Sequence, residues 1–463
     1  MNHVILALVL LLATAFAVRA DFEAGEAASK RGDHAAAYRE YLPLAQQGHI
    51  QAQHAIGVIF EQGLGRPKDP AIAVGWYNQA ARQGFAESQN NLGQLYRDGV
   101  GVARDVAKAA LWLGKAADQG HPLAQKNLGD LYRDGNGVAR DVARALALYR
   151  ASAGRNNAWG QVALGGMYEK GLGVAKDEAE AIKWYEKAAG QNVGTAQNSL
   201  GSMYRDGKGV QRNALRALRW YRKAAENGHA LGQKNLGDMY RKGVAVTRDY
   251  GKAIELYRAS AEQGERWGQL ALGRMYQKGH GVARDDAEAA KWYRKAAEQG
   301  LAVAQNLLAN MYGTGLGVGR DAAAAAKWNR RAAEQGDAWS QFSIGRAYER
   351  GVGVARDLGE AAKWYRKAAD QGEAWAQFRL ASLYERGEGV ERSYADAATW
   401  YRKAAEQGLA DAAFGLGQLY ERGTGVPANA AEALKWYAQA AAEGSEAAEA
   451  ALSRLTATAA GAK

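Results

Sequence analysis

The sequence contains no cysteine, and this absence excludes several kinds of chemistry. Without a thiol there is no disulfide, no thiolate ligand for a metal, no cysteine nucleophile and no cysteine for lipid attachment. An exported protein of this composition has to be stabilised by packing alone, because the usual covalent cross-link of exported proteins is missing.

Long apolar runs are also missing beyond the start of the chain. A short polar stretch is followed by an apolar run from Val4 to Val18, and then by Arg19 and Ala20. This pattern is typical of a signal peptide cleaved after Ala20 or, alternatively, after Ala17. The run is shorter than the roughly 20 residues that cross a bilayer, and no later segment reaches that length. We therefore expect a periplasmic or secreted protein without a membrane span.

Acidic residues are fewer than basic ones. The chain has 60 Lys and Arg against 49 Asp and Glu, a net charge of +11, and removal of residues 1–20, which hold one Arg and no acid, leaves +10. Such a balance favours acidic partners or anionic surfaces. The basic residues are spread along the whole chain without a dense run, so we expect no nucleic-acid partner.

Proline is scarce, with 5 residues, whereas the 57 glycines recur at regular intervals. The chain aligns with itself at a shift of 36 residues over 49–444, without insertion or deletion, and this gives eleven tandem units. A repeat of this length predicts a solenoid, in which each unit packs only against its neighbours.

Each unit carries two amphipathic helical patterns, because small and apolar residues recur at i, i+3, i+4 and i+7 in both halves. In the seventh unit the first stripe is Gly268, Leu272, Met275 and Tyr276, and the second is Ala289, Trp292, Tyr293, Ala296 and Ala297. We therefore predict two helices per unit, with Gly273 allowing them to approach closely.

Residues typical of helix ends recur in every unit and vary only within one chemical class. Glycine follows the second helix except at Asn156 and Asn192, and both residue types suit a left-handed C-cap. A glycine turn separates the two helices, and its second glycine is replaced only by Ala245. The predicted N-cap of the second helix is always Asp, Asn or Ser. These caps are Asp69, Asp105, Asp141, Asp177, Asn213, Asp249, Asp285, Asp321, Asp357, Ser393 and Asn429.

The segment from Leu272 to Gly300 resembles the pattern LGxxYxxGxGVxxDxxxAxxWYxKAAEQG of the Sel-one-like repeat (SLR) family, which is related to tetratricopeptide repeats. The resemblance covers about 400 residues. It implies an all-α fold, a right-handed α/α superhelical solenoid of helix-turn-helix repeats. Local departures are Leu148 and Leu256 for the Trp, Asn329 for the Tyr, and Ala309 and Ala381 for the mid-helix Gly.

The repeat register divides the chain into four predicted segments. These are a signal peptide at 1–20, an N-terminal capping half-repeat at 21–48, eleven repeats at 49–444, and a C-terminal capping helix with a frayed tail at 445–463. Atypical ends are expected because the outer side of a terminal repeat faces water.

Sequence motifs for catalysis are missing. The 7 histidines form no metal-binding spacing such as HExxH, and no GxSxG motif occurs. The glycine-rich stretch 313–319 falls at an inter-helix turn and lacks the Gly-Lys-Ser/Thr ending of a phosphate-binding loop. Asp285 and Asp286 fall at a helix start, where negative charge is favourable. We therefore expect no enzyme, no metal and no cofactor.

The remaining candidate residues lie on the face of the first helix that is opposite its core stripe, at i, i+3 and i+7. Aromatic residues at these positions are Trp339, Phe342, Trp375, Phe378 and Phe414, together with Trp159 and Trp267 in earlier units. Tryptophan is frequent in binding hot spots, so these residues are candidate partner contacts. The alternative is packing between units, and for the last two it is common ancestry, since 127–165 returns 108 residues later as 235–273.

The resemblance implies an exported scaffold for protein-protein interaction, because proteins with these repeats typically act as adaptors and line their concave side with first helices. Two alternatives stay open. One is an envelope hydrolase or transferase that is β-lactamase-like or acts on the cell wall. Cysteine-rich relatives have been described as penicillin-binding, but their cysteines are absent here. The other alternative is binding of polysaccharide or peptidoglycan.

Overall fold

The computed structural model describes residues 22–461, so the predicted signal peptide lies outside the described part of the chain. Over the described range the chain forms 25 helices and no strand. Residues 22–30 form α1, and His34–Gln46 forms α2. Gly32, with φ +78°, lies in the turn between them. The segment predicted as a capping half-repeat therefore contains a helix pair.

Eleven repeats of two helices follow. The first helices are α3 (Ile50–Gln62), α5 (Ala86–Asp98), α7 (Pro122–Asp134), α9 (Ala158–Lys170), α11 (Gly194–Asp206), α13 (Ala230–Lys242), α15 (Arg266–Lys278), α17 (Ala302–Thr314), α19 (Ala338–Arg350), α21 (Ala374–Arg386) and α23 (Ala410–Arg422). The second helices are α4 (Pro70–Arg82), α6 (Val106–Asp118), α8 (Val142–Gly154), α10 (Glu178–Gly190), α12 (Ala214–Glu226), α14 (Tyr250–Glu262), α16 (Asp286–Glu298), α18 (Ala322–Glu334), α20 (Leu358–Asp370), α22 (Tyr394–Ala405) and α24 (Ala430–Ala442). The chain ends with α25 (Glu446–Gly461), whose Ala448 is buried against the last repeat.

The predicted caps are confirmed. In all eleven second helices the N-cap side chain accepts a hydrogen bond from a backbone N–H of the first turn. Asp321, for example, accepts one from the amide of Ala324 at 2.9 Å. Asn156 and Asn192 adopt the left-handed conformation, with φ of 60° and 62°. Ala245 does so as well, with φ of 57°, in a position where a side chain is strained.

A tyrosine of most second helices packs against a glycine of the first helix in the same repeat. Tyr293 is fully buried, and a Cβ atom placed on Gly273 would lie 2.6 Å from its ring. The predicted close approach at Gly273 is therefore confirmed. The hydroxyl group is satisfied as well: Tyr365 donates a hydrogen bond to Glu349 at 2.5 Å.

The chain divides into two compact units, the first ending at Gly232 and the second starting at Gln233. In the first unit each helix from α2 to α12 packs against the next helix along the chain, and the same holds from α14 to α25 in the second. This successive stacking of hairpins is the arrangement of a helical-repeat solenoid. None of the helices in the described range is long and apolar enough to cross a membrane.

Candidate functional site

The four predicted tryptophans lie at the solvent-exposed surface of first helices. Trp159 is 48% exposed, Trp267 37%, Trp339 51% and Trp375 39%. Exposed side chains of this size are unusual on a helix that is otherwise packed on one face. They remain the candidate contact residues.

The three predicted phenylalanines are covered by second helices. Phe342 is only 5% exposed, and Phe378 and Phe414 are partly buried against the same core. Each ring lies within 5.6–5.8 Å of a buried tyrosine ring in its own repeat. The pairs are Phe342 with Tyr365, Phe378 with Tyr401, and Phe414 with Tyr437. The structure therefore separates the predicted stripe into exposed tryptophans and packed phenylalanines.

Two of the tryptophans rest on these phenylalanines. The ring centroids of Trp339 and Phe342 are 5.4 Å apart, and those of Trp375 and Phe378 are 6.2 Å apart in an edge-to-face arrangement. Each pair is spaced i, i+3 on one helix. The buried ring supports the exposed one, so less side-chain freedom is lost when a partner covers the tryptophan.

Open cavities lie along the first helices in both units. In the first unit α7, α9 and α11 line a cavity of about 820 Å³, and its wall includes Val162 and Gly166, which lie three and seven residues after Trp159 on the same face of α9. In the second unit α13, α15 and α17 line one of about 660 Å³, which includes Trp267. A third, of about 390 Å³, involves α17, α18 and α19 and includes Trp339. The predicted face therefore contains recesses, each large enough for a few side chains.

The 660 Å³ cavity is positively charged. Five basic residues and one acid line it: Lys234, Arg241, Lys242, Arg274, Lys278 and Asp238. The carboxylate of Asp238 lies 2.9 Å from the Lys234 ammonium and accepts a hydrogen bond from Tyr257 at 2.6 Å. Burial raises the pKa of Asp238, but Lys234 and Tyr257 outweigh this effect and lower it. Asp238 is thus ionised and neutralises only part of the charge.

Some structurally important residues were not identified from the sequence. Glutamines on the first helices are buried; Gln341, for example, donates a hydrogen bond to the carbonyl oxygen of Ala333 on the preceding second helix at 3.1 Å. Arg320 and Arg350, which line the 390 Å³ cavity, were also missed. The recurrence of glutamine every 36 residues and the departures at Ala309 and Asn329 were the available signals.

The described residues contain no group of three or more His, Asp or Glu side chains placed to hold a metal ion. His54 is partly buried, and its Nδ1 lies 2.9 Å from Oγ of Ser88. Burial lowers the pKa of His54, so the ring is neutral at physiological pH. No carboxylate hydrogen bond orients this histidine among the described contacts, so the pair lacks the third member of a catalytic triad.

A solved structure of a related protein shares this fold. A protective antigen present in uropathogenic Escherichia coli strains, which displays an SLR fold, is 38% identical, with 91% of this chain and 90% of that chain covered and a TM-score of 0.61. A Sel1 repeat protein from Oxalobacter formigenes is 34% identical over 67% of this chain and 90% of its own, with a TM-score of 0.48. A comparison with curated protein sequences gives no significant match.

The sequence pattern of the Sel1 repeat matches eleven consecutive segments of the chain. They are residues 50–85, 86–121, 122–157, 160–193, 194–229, 230–265, 268–301, 302–337, 340–373, 376–409 and 410–445. Each segment covers all or most of one first helix and the whole of one second helix. The chain therefore belongs to the Sel1 repeat family of helical-repeat solenoids.

Proposed function

We propose that this chain is an exported scaffold for protein-protein interaction that holds its partner on the concave face formed by the first helices. Sel1 repeat proteins generally mediate protein-protein interaction and are generally not enzymes. The observation that carries the proposal is the exposure of Trp339 and Trp375 on first helices, each supported by a buried or partly buried phenylalanine.

Contact of these tryptophan rings with water is unfavourable. An exposed tryptophan buries a large apolar area when a partner covers it, and it has few rotatable bonds to immobilise. Trp339 and Trp375 are related by one repeat, so a partner that spans two repeats contacts both. The 390 Å³ cavity beside Trp339 offers space for a side chain of that partner.

Export is the second part of the proposal, and it is supported by the N-terminal sequence. The apolar run ends in two possible cleavage sites, Val18-Arg19-Ala20 with cleavage after Ala20 and Ala15-Phe16-Ala17 with cleavage after Ala17. Fractionation of cells that express the full chain, with N-terminal sequencing of the product, tests this. We expect an envelope or extracellular protein that starts at Asp21 or Val18; an uncleaved protein in the cytoplasm would contradict export.

Affinity capture tests the partner face. The purified full chain is immobilised and incubated with an envelope extract, in parallel with Trp339→Ala/Trp375→Ala. A matched control, Leu111→Ala/Leu215→Ala, removes two exposed apolar side chains from second helices. We expect a protein that is retained by the original chain and by the leucine variant but lost from the tryptophan variant. Equal retention by all three contradicts the assignment of this face. Retention of peptidoglycan or polysaccharide in place of protein contradicts the proposed partner class.

A further inference from the structure

The eighth repeat departs from the seventh and ninth at three positions that contact one another in those repeats. Asn329 replaces the buried tyrosine of the second helix, and Ala309 replaces the glycine on which that tyrosine packs. Gly313 stands where the ninth repeat has Glu349, the residue that accepts the hydrogen bond of Tyr365. The tyrosine ring, the glycine that it packs against and the residue that accepts its hydrogen bond are therefore all absent from this repeat.

The space of the missing tyrosine is open. Asn329, Ala309 and Gly313 all line the 390 Å³ cavity. A Cβ atom placed on Gly313 would have only the Cβ of Ala325 within reach, at 4.0 Å. Ala325 is itself half-buried, whereas Ala361, at the same position in the ninth repeat, is fully buried. The loss of the ring has therefore exposed part of the repeat core.

The wall of this cavity is partly apolar, with Trp339, Val352 and several alanines, and its charged side chains are all positive. Its polar lining consists of the guanidinium groups of Arg320, Arg346 and Arg350, the amides of Asn306, Asn310 and Asn329, and the hydroxyls of Thr314 and Ser343. None of its described lining residues is acidic. Glu349, which lies on the same helix as two of the arginines, is already bound to Tyr365 and lies 3.7 Å from Arg379.

We propose that the cavity of the eighth repeat binds a carboxylate group of a protein partner, either an Asp or Glu side chain or a C-terminus, while Trp339 contacts an adjacent apolar group. This inference rests on the proposed function for the class of partner. A guanidinium group binds a carboxylate through two parallel hydrogen bonds, and the cavity wall holds three guanidinium groups and no carboxylate. The volume is in the range of small-ligand sites, roughly 300–1,000 Å³.

Two kinds of variant separate the cavity from the general positive charge of the chain. Arg350→Gln removes one guanidinium group from the cavity, and Arg422→Gln makes the same change at the equivalent exposed position of the eleventh repeat. Asn329→Tyr with Ala309→Gly and Gly313→Gln gives this repeat the residues of the seventh, in which Gln277 accepts the hydrogen bond of Tyr293 at 2.9 Å, and it fills the cavity without changing its charge. Circular dichroism and thermal unfolding check that each variant is folded.

The probe is a fluorescein-labelled hexaglutamate peptide, and its binding to the purified full chain is measured by fluorescence anisotropy. A hexaglutamine peptide with the same label and an amidated C-terminus is the control that has no peptide carboxylate. We expect hexaglutamate alone to bind, with affinity reduced about tenfold or more by Arg350→Gln, as for loss of one charge-assisted contact. The filled variant should lose binding to a similar degree, and Arg422→Gln should retain it.

Equal losses from the two arginine variants, or undiminished binding to the filled variant, overturn the proposal. Displacement of hexaglutamate by trigalacturonate but not by unlabelled peptide also overturns it.

Failure of this inference is distinguishable from failure of the proposed function. The filled variant is included in the affinity capture from the envelope extract. If it retains the protein captured by the original chain, the scaffold function stands and the cavity assignment is wrong. If the original chain captures no protein at all, the proposed function fails whatever the result with hexaglutamate.

Discussion

The side-chain amide nitrogen of Gln371 lies 2.8 Å from the side-chain oxygen of Gln341, whose own amide nitrogen donates to the carbonyl oxygen of Ala333. This relay joins the end of α20, the core side of α19 and the last turn of α18. It recurs in other repeats with the same geometry. One buried amide therefore links two successive repeats.

Replacement of Gln341 by alanine should destabilise the protein. The change removes two hydrogen bonds and leaves a cavity in a buried position, so we expect the free energy of unfolding to fall by about 1–3 kcal/mol. Urea unfolding followed by circular dichroism measures it. Gln51→Ala, an exposed first-helix position, is the matched control and should change stability by about 0.5 kcal/mol or less. An equal effect of both changes would contradict a structural role for the relay.

The caps were predictable because their chemistry is local. Asp321 accepts a hydrogen bond from a backbone amide three residues away, and the left-handed conformation of Asn156 is a property of a single residue at a helix end. Both features can therefore be predicted from the residue type and its position in the repeat. The role of Gln341 was not predictable in this way, because its partners belong to two other helices. Its 36-residue recurrence indicated importance but not contacts.

The sequence predicted which residues share the candidate face, but not which of them are exposed. A projection at 100° per residue places Trp339 and Phe342 on one side of α19, yet Phe342 is covered by Tyr365 of the adjacent second helix. Which part of a helix is covered depends on where the neighbouring helices lie, and a single-helix projection does not contain that information. The cavity of the eighth repeat was missed for a related reason, since Asn329 and Ala309 look like independent departures until they are placed side by side.

Phe342 and Trp339 should respond differently to the same substitution. Phe342→Ala removes a buried ring, and we expect it to lower the free energy of unfolding by about 3–5 kcal/mol. Trp339 is half exposed, so Trp339→Ala should lower it by about 1 kcal/mol or less. Thermal and urea unfolding of both variants give the comparison. Similar large losses would place Trp339 among the structural residues instead of the contact residues.

Ala245 is a site at which glycine should stabilise the fold. Its φ of 57° lies in the left-handed region, where an alanine side chain costs about 1–2 kcal/mol, of which about 0.5–1 kcal/mol is offset by the greater flexibility of glycine in the unfolded chain. We expect Ala245→Gly to raise stability by about 0.5–1 kcal/mol. Ala438→Gly, at an exposed position inside α24, is the control and should lower it by about 1 kcal/mol. A decrease in both variants would refute the assignment of strain.

The buried tyrosines should make the protein sensitive to alkaline pH. Burial, with a smaller effect of Glu26, raises the pKa of Tyr41 to about 12, and burial likewise raises the pKa of Tyr365, which is also bonded to Glu349. The folded state then keeps protons that the unfolded state releases above about pH 10, so stability is full below that pH and falls above it. Each such tyrosine contributes a slope of about 1.4 kcal/mol per pH unit.

The measurement for this prediction is the urea midpoint between about pH 8 and pH 11, with tyrosinate absorbance recorded on the same samples. We expect a nearly constant midpoint up to about pH 10 and a steep fall beyond it, with the buried tyrosines ionising only as the protein unfolds. Early ionisation of these groups in the folded protein would show that they are accessible to solvent.

The substitutions at Ala309 and Asn329 should be energetically coupled. In the ninth repeat a Cβ atom on Gly345 would lie 2.7 Å from the ring of Tyr365, so Asn329→Tyr alone drives a ring towards the methyl group of Ala309 and should cost about 1–3 kcal/mol. The tenth repeat holds both Ala381 and Tyr401, but there the ring lies against Gly415, and the equivalent position facing the eighth repeat is Ser343. Ala309→Gly alone should cost about 1 kcal/mol, because glycine is unfavourable inside a helix. The double variant regains the packing of the other repeats and should be at least as stable as the original chain. A double-mutant cycle from urea unfolding should therefore give a coupling energy above about 1 kcal/mol in magnitude. Additive effects would mean that the two departures are independent, and that the cavity is not the space of a missing tyrosine.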